Sequence, residues 1–151
     1  MTEITTNTSV EVNKGCAIAY VDGSYSQKDG RFSYGVVMFT GDKQIMISKA
    51  FSHPELASMR NVAGEITGSG EAMKQARAMG LEKLVIYHDY EGIAAWCEGR
   101  WKTNKAWTKK YKAFYDEVSK DVEISFIKVA GHSGDKYNDL ADSLAKKALG
   151  I

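Results

Sequence analysis

The chain has 151 residues, 44% hydrophobic and 26% charged with a single proline, proportions that suit one compact domain and exclude disordered, collagen-like and low-complexity classes. A formal net charge of +1 points to no partner, and the longest apolar runs, such as Cys16 to Val21, fall far short of the ~18 residues a membrane-spanning helix needs. Met1 to Lys14 lacks the apolar centre of a signal peptide, so a cytoplasmic protein without membrane attachment is expected.

Residues 1–15 are polar, Thr-rich and aperiodic and read as a flexible arm, leaving 16–151 as the domain. Ala17 to Val21 is an apolar strand that ends in Asp22-Gly23-Ser24. Phe32 to Thr40 and Gln44 to Phe51 are rich in aromatic and β-branched residues, with Gly41-Asp42 between them as a hairpin turn. From Leu56 to Met79, Val62, Ile66, Met73 and Ala76 recur at helical spacing, and Gly80 stops the helix. A strand over Lys83 to His88, a short helix over Glu91 to Glu98, a longer one over Asn104 to Ser119, a strand over Val122 to Val129 and a helix over Asp135 to Leu149 complete the chain. Three strands in a meander, then helix, strand, two helices, strand and helix, imply an α/β fold: a mixed sheet covered by helices. Cys16 and Cys97 each sit in an apolar segment, far apart in sequence, and are expected to be buried, reduced thiols.

Four acids occupy unlike places. Asp22 and Asp89 each follow an apolar strand, and they share one rim of the sheet if those strands are adjacent and parallel. Glu65 falls about 60° from Val62 on its helix, at the edge of the apolar stripe, and Gly64 and Gly68 would let that helix lie close to the strands. On the last helix Asp142 lies about 130° from the centre of the apolar stripe and Asp139 about 170°, so Asp142 is the better candidate. Four hard oxygen donors without Cys or paired His select Mg²⁺ or Mn²⁺ over zinc, and such a cluster repels itself until a cation neutralises it. Taken singly, each acid reads as a turn, cap or surface residue more often than as a functional one. Arg100 to Tyr115 adds six cations, no acid and five aromatics, a composition that suits a nucleic-acid surface.

Tyr20-Val21-Asp22-Gly23-Ser24, Arg60-Asn61-Val62-Ala63-Gly64-Glu65, Tyr87-His88-Asp89, and Gly131-His132-Ser133-Gly134 followed by Asn138 and Ala141-Asp142-Ser143-Leu144-Ala145 resemble, in order and spacing, the type 1 ribonuclease H family. The resemblance runs from about Ala17 to the C-terminus. It implies a five-stranded mixed sheet and endonucleolytic hydrolysis of the RNA strand of RNA–DNA hybrids with two Mg²⁺ ions, leaving 5′-phosphate and 3′-hydroxyl ends. It places the metal ligands at Asp22, Glu65, Asp89 and Asp142. Asp22 would be shared between ions ~4 Å apart, Glu65 and Asp89 would complete one shell, and Asp142 would hold the other ion. His132 becomes a proton shuttle or product-release residue.

Further expectations concern the hybrid. Asn61 matches a position that touches nucleic acid, although helix capping would also explain it, and Gly23 and Ser24 offer a close backbone approach. His53 and His88 match no motif position and read as structural. Tyr90-Glu91 departs from the family's usual small-polar and Gln pair, and only twelve positions separate Asp89 from Trp101 (101 − 89), too few for the extra basic helix of many members. Trp101, Lys102, Thr103, Asn104, Lys105 and Lys109 are therefore inferred to contact the DNA strand, while at least half of Trp107, Tyr111, Phe114 and Tyr115 are expected in the core. A monomer without a small-molecule cofactor is expected. The rival readings are a nuclease or strand-transfer enzyme of the same fold and a silent nucleic-acid-binding module.

Overall fold

Alternating apolar residues and one tight turn build the first half of the sheet. In a computed structural model, which describes residues 15–53, 56, 58–130 and 135–151, β1 (Cys16–Tyr25), β2 (Phe32–Thr40) and β3 (Lys43–Phe51) form an antiparallel meander. Gly41 takes φ +58° at the β2–β3 turn, a conformation that costs glycine nothing. Helix α1 (Asn61–Ala78) leads to β4 (Lys83–His88), which returns parallel to β1. Helices α2 (Gly92–Glu98) and α3 (Ala106–Val118), strand β5 (Glu123–Lys128) and helix α4 (Lys136–Leu149) follow. The five-stranded mixed sheet has the order β3-β2-β1-β4-β5, with β4 and β5 parallel.

Every residue of β2 is buried, because α1 covers one face of the sheet and α4 the other. Alternation along the strands sorts side chains between two cores. Ala19, Val21, Val36, Met38, Leu84 and Ile86 pack beneath α1, while Tyr20, Val37 and Phe39 pack with Tyr137 and Ala141 of α4. The same alternation directs Asp22 toward α4 and Gly23 toward α1. No described helix is long and apolar enough to cross a membrane.

Several elements differ from the sequence reading. Strand β1 does not end before Asp22 but runs through Asp22-Gly23-Ser24 to Tyr25, because these residues pair with Gly35, Tyr34, Ser33 and Phe32 of β2. Helix α1 starts at Asn61 rather than Leu56, after Arg60 takes φ 52° and ψ −129° at the cap position. Of the α3 aromatics only Tyr111 is fully buried; Trp107, Phe114 and Tyr115 are half-buried, and Lys110, Arg77 and Lys112 lie over their respective rings. Both cysteines are free thiols, but only Cys97 is buried, whereas Cys16 at the start of β1 is half-exposed. Residues 1–14 of the expected arm lie outside the described residues.

The helices sit close because glycines face them. A Cβ on Gly64 would strike the Ser33 carbonyl, one on Gly23 the Asn61 carbonyl, and one on Gly35 the Ala141 carbonyl of α4. Gly70, also in α1, faces open space. Gly35→Ala is therefore expected to destabilise the fold by about 1–3 kcal/mol through overpacking, whereas Gly70→Ala stabilises it by roughly 0.5–1 kcal/mol through helix propensity. Urea unfolding checks the opposite signs; midpoints that move together would contradict the close approach.

Candidate active site

Parallel pairing of β1 with β4, in the register Tyr20 to Tyr87, brings Asp22 and Asp89 to the same rim of the sheet. They border a cleft of about 620 Å³ together with Gly23, Ser24, Asn61, Asn138 and Asp142. Asp142 reaches the cleft from α4, while Asp139 is exposed. Asp135 caps α4, its Oδ1 accepting from the amides of Tyr137 at 3.0 Å and Asn138 at 3.1 Å. Asn61 is the first residue of α1, exposed, and not its cap; that position belongs to Arg60. His132 lies outside the described residues.

Glu65 lies beneath this rim and is only 2% exposed, deeper than the stripe edge anticipated from the helical wheel. Its Oε1 accepts from the amides of Asp89 at 3.2 Å and Tyr90 at 3.3 Å. Both donors fall on one oxygen, which leaves Oε2 for a further partner. The amides favour the ionised carboxylate, yet burial outweighs them, and Asp89 adds repulsion, so the Glu65 pKa is pushed up to about 7. Asp22 is pushed up to about 8, first by burial, then by the charge of Glu65 and a hydrogen bond shared with Asp142, against a 2.9 Å bond from the Gly23 amide. Within the cluster the one cation paired among the described residues is Lys146, 3.0 Å from Asp142 and one helical turn away.

Among the described residues, no three acid, His or Cys side chains stand in a finished metal-holding array. The orientations explain why: Glu65 accepts from backbone amides, Asp22 from the Gly23 amide, and Asp142 pairs with Lys146. The donor chemistry nevertheless fits a hard divalent cation, since the acids are oxygen donors, repel one another, and keep the second oxygen of Glu65 free of the two amides.

A second groove, of about 380 Å³, lies between α1 and the segment after α2 and is lined by Lys102, Asn104, Lys105, Tyr90 and Trp96. Trp101 is 38% exposed, and its ring meets those of Tyr90 and Trp96 at centroid distances of 5.9 and 5.8 Å. Thr103 is half-buried and Lys109 exposed. Glu91 does not border the cleft; Arg100 binds it at 2.7 Å and Glu98 at 2.9 Å, tying the two ends of α2 together. Between Asp89 and α3 the chain holds only α2, so the extra basic helix is absent from this fully described stretch.

Sequence reasoning missed Arg60 and Lys146. Arg60 lines the cleft, lies over the Tyr25 ring at 5.9 Å, and adopts a backbone conformation that costs a non-glycine residue roughly 1–3 kcal/mol. Nothing in its composition signals that conformation. Lys146, by contrast, follows Asp142 by four residues on one helix and was findable from spacing.

The RNase H family model matches residues 14–150. The chain belongs to the RNase H family. It is similar to Ribonuclease H1 of Mus musculus, 30% identical over 86% of this chain and 49% of that protein. It also resembles a Ribonuclease H of Clostridium botulinum, 28% identical over 87% of this chain and 94% of the other. The chain thus spans about half the length of the mouse relative and nearly all of the bacterial one. Among solved structures, RNase H1 from the archaeon Halobacterium salinarum superimposes with a TM-score of 0.73 at 21% identity, covering 89% of this chain and 98% of that one. LC11-RNase H1, solved in complex with an RNA/DNA hybrid, does so with a TM-score of 0.69 at 18% identity, covering 88% and 99%. The RNase H fold is shared with both.

The two raised acids set the pH dependence of the metal-free protein. Between their ordinary pKa values of 3.8 and 4.5 and the folded values of about 8 and about 7, the native state binds more protons than the unfolded state. Their contribution to stability therefore falls as pH rises from about 4 to about 8. Asp22→Asn in chelator should raise the melting temperature clearly more at pH 8 than at pH 5, with each kcal/mol moving it by about 2–4 °C. Equal shifts at the two pH values would contradict the assignment.

Proposed function

We propose that the chain hydrolyses the RNA strand of RNA–DNA hybrids, cutting endonucleolytically to leave 5′-phosphate and 3′-hydroxyl ends. The observation that carries this reading is the meeting of acids from β1, α1, the end of β4 and α4 around and beneath one cleft, in a chain whose family and relatives bear the name ribonuclease H. A protein of the same fold solved on an RNA/DNA hybrid adds support.

Asp22, Glu65, Asp89 and Asp142 would hold two Mg²⁺ ions, with Mn²⁺ as a substitute. When bound, these supply a water made acidic enough to attack near neutral pH and positive charge at the departing 3′ oxygen. The chain's own groups do the rest. The Gly23 amide steadies Asp22, and the Asp89 and Tyr90 amides steady Glu65. Arg60, Lys28 and Lys146 border the acidic floor of the cleft and draw the phosphates of the RNA strand. Asn61, Gly23 and Ser24 meet its sugars, the groups that separate RNA from DNA. Trp101, Lys102, Thr103, Asn104, Lys105 and Lys109 take the DNA strand at the second groove and its surroundings, with aromatic faces on sugars and cations on phosphates. His132 moves a proton beside the attacked phosphate. The chain acts as a monomer in the cytoplasm.

The test is gel-resolved cleavage of one labelled RNA presented as hybrid, as double-stranded RNA and as single strand, with Mg²⁺ or chelator. Metal-dependent cutting of the hybrid's RNA alone is expected, and Asp89→Asn should abolish it while keeping a cooperative melt. Tight hybrid binding without any cutting would overturn the reading.

A further inference from the structure

One buried imidazole lies behind the acidic cluster without touching the cleft. His88, the last residue of β4, is 1% exposed and sits edge-on to Phe126 with ring centroids 5.9 Å apart. Its Nδ1 is 2.9 Å from the Tyr90 carbonyl oxygen. A carbonyl only accepts, so Nδ1 carries the proton. The same carbonyl accepts from the Ile93 amide at 3.1 Å, where the chain enters α2. The two amides that precede this carbonyl, those of Asp89 and Tyr90, are the ones that grip Glu65 Oε1.

We propose that His88 is a positioning residue: by fixing the Tyr90 carbonyl, its Nδ1–H holds the Asp89-Tyr90 backbone at the angle that puts both amides on Glu65 and the Asp89 side chain on the cleft. Asp89 and Glu65 thereby share one anchor, although one follows a strand and the other lies within a helix. Space filling alone does not account for an imidazole here. Its Nε2 is buried with no partner among the described residues, a desolvation cost that phenylalanine would avoid. The donor at Nδ1 is what the imidazole adds.

The kinetic consequence rests on the hybrid-cleavage reading, so the test pairs it with a measurement that needs no substrate. His88→Phe keeps ring and volume without the donor. His88→Asn is smaller, yet its amide nitrogen hangs from Cγ as Nδ1 does and can reach the carbonyl. Loss of a supporting hydrogen bond of this kind typically costs 10–100-fold. We expect kcat on hybrid to fall about 10–100-fold in His88→Phe with KM within about 3-fold, and to recover to within about 5-fold of wild type in His88→Asn. Melting temperatures should rank the other way, with Phe above Asn, because Asn leaves a void. In the metal-free protein, amide hydrogen exchange at Asp89 and Tyr90 should accelerate in His88→Phe and slow again in His88→Asn. Wild-type kcat and exchange in His88→Phe, or activity that merely follows melting temperature, would overturn the proposal. If the wild-type protein cuts no hybrid, the cleavage reading falls and exchange at the two amides alone decides the role of His88.

Discussion

A glutamate with 2% of its surface exposed needs donors, and here they are the two amides at the end of β4. That contact joins α1 to β4 and fixes how far the helix can slide along the sheet. It forms only because α1 lies against β1 and β2 at glycine distance: Gly23 and Gly64 face one another, and Gly64 also faces the Ser33 carbonyl. With α1 set, the parallel β1–β4 pair carries Asp22 and Asp89 to one rim, and Gly35 lets α4 approach from the opposite face to deliver Asp142. Asp22 and Asp142 are thus brought to the cleft by backbone approaches at Gly23 and Gly35 that are too close for a side chain.

The electrostatics follow from that packing. Asp22 lies within reach of the charges of Glu65 and Asp142, and burial of Asp22 and Glu65 strengthens the repulsion. Burial and mutual repulsion hold the Asp22 and Glu65 carboxyls above the usual range, so the cluster costs the fold stability as pH rises toward neutral. Rim cations balance the charge only in part, since Lys146 engages Asp142 alone among the four.

Much of this was legible in the sequence because it rests on period and punctuation. The meander, the Gly41-Asp42 turn and the choice of Asp142 over Asp139 as the cleft residue come from strand composition, turn residues and helical phase, whereas the sequence leaves the parallel adjacency of β1 and β4 as a condition that the sheet then meets. What escaped depends on partners distant in sequence. Asp22-Gly23-Ser24 resembles a turn until β2 is there to pair with it, and the depth of Glu65 becomes visible only when the β4 amides are in place. Trp107, Phe114 and Tyr115 look like core by helical spacing, yet α3 makes its main contacts with α1 and α2, and the three rings stay half-buried with Lys110 and Lys112 of α3 and Arg77 of α1 over them. The Tyr90–Trp96–Trp101 cluster joins the start of α2 to residues beyond its end, a contact that no local pattern announces.

If the proposed metal site is the one described, a divalent cation must displace the protons that Asp22 and Glu65 hold, and calorimetric Mg²⁺ titration at pH 7.5 in buffers of different ionisation enthalpy measures that displacement. With Asp22 near 8 and Glu65 near 7, binding should release about one proton per chain, and most of that release should vanish in Asp22→Asn. Binding heats that do not depend on the buffer would show that the cation displaces no proton from Asp22 or Glu65.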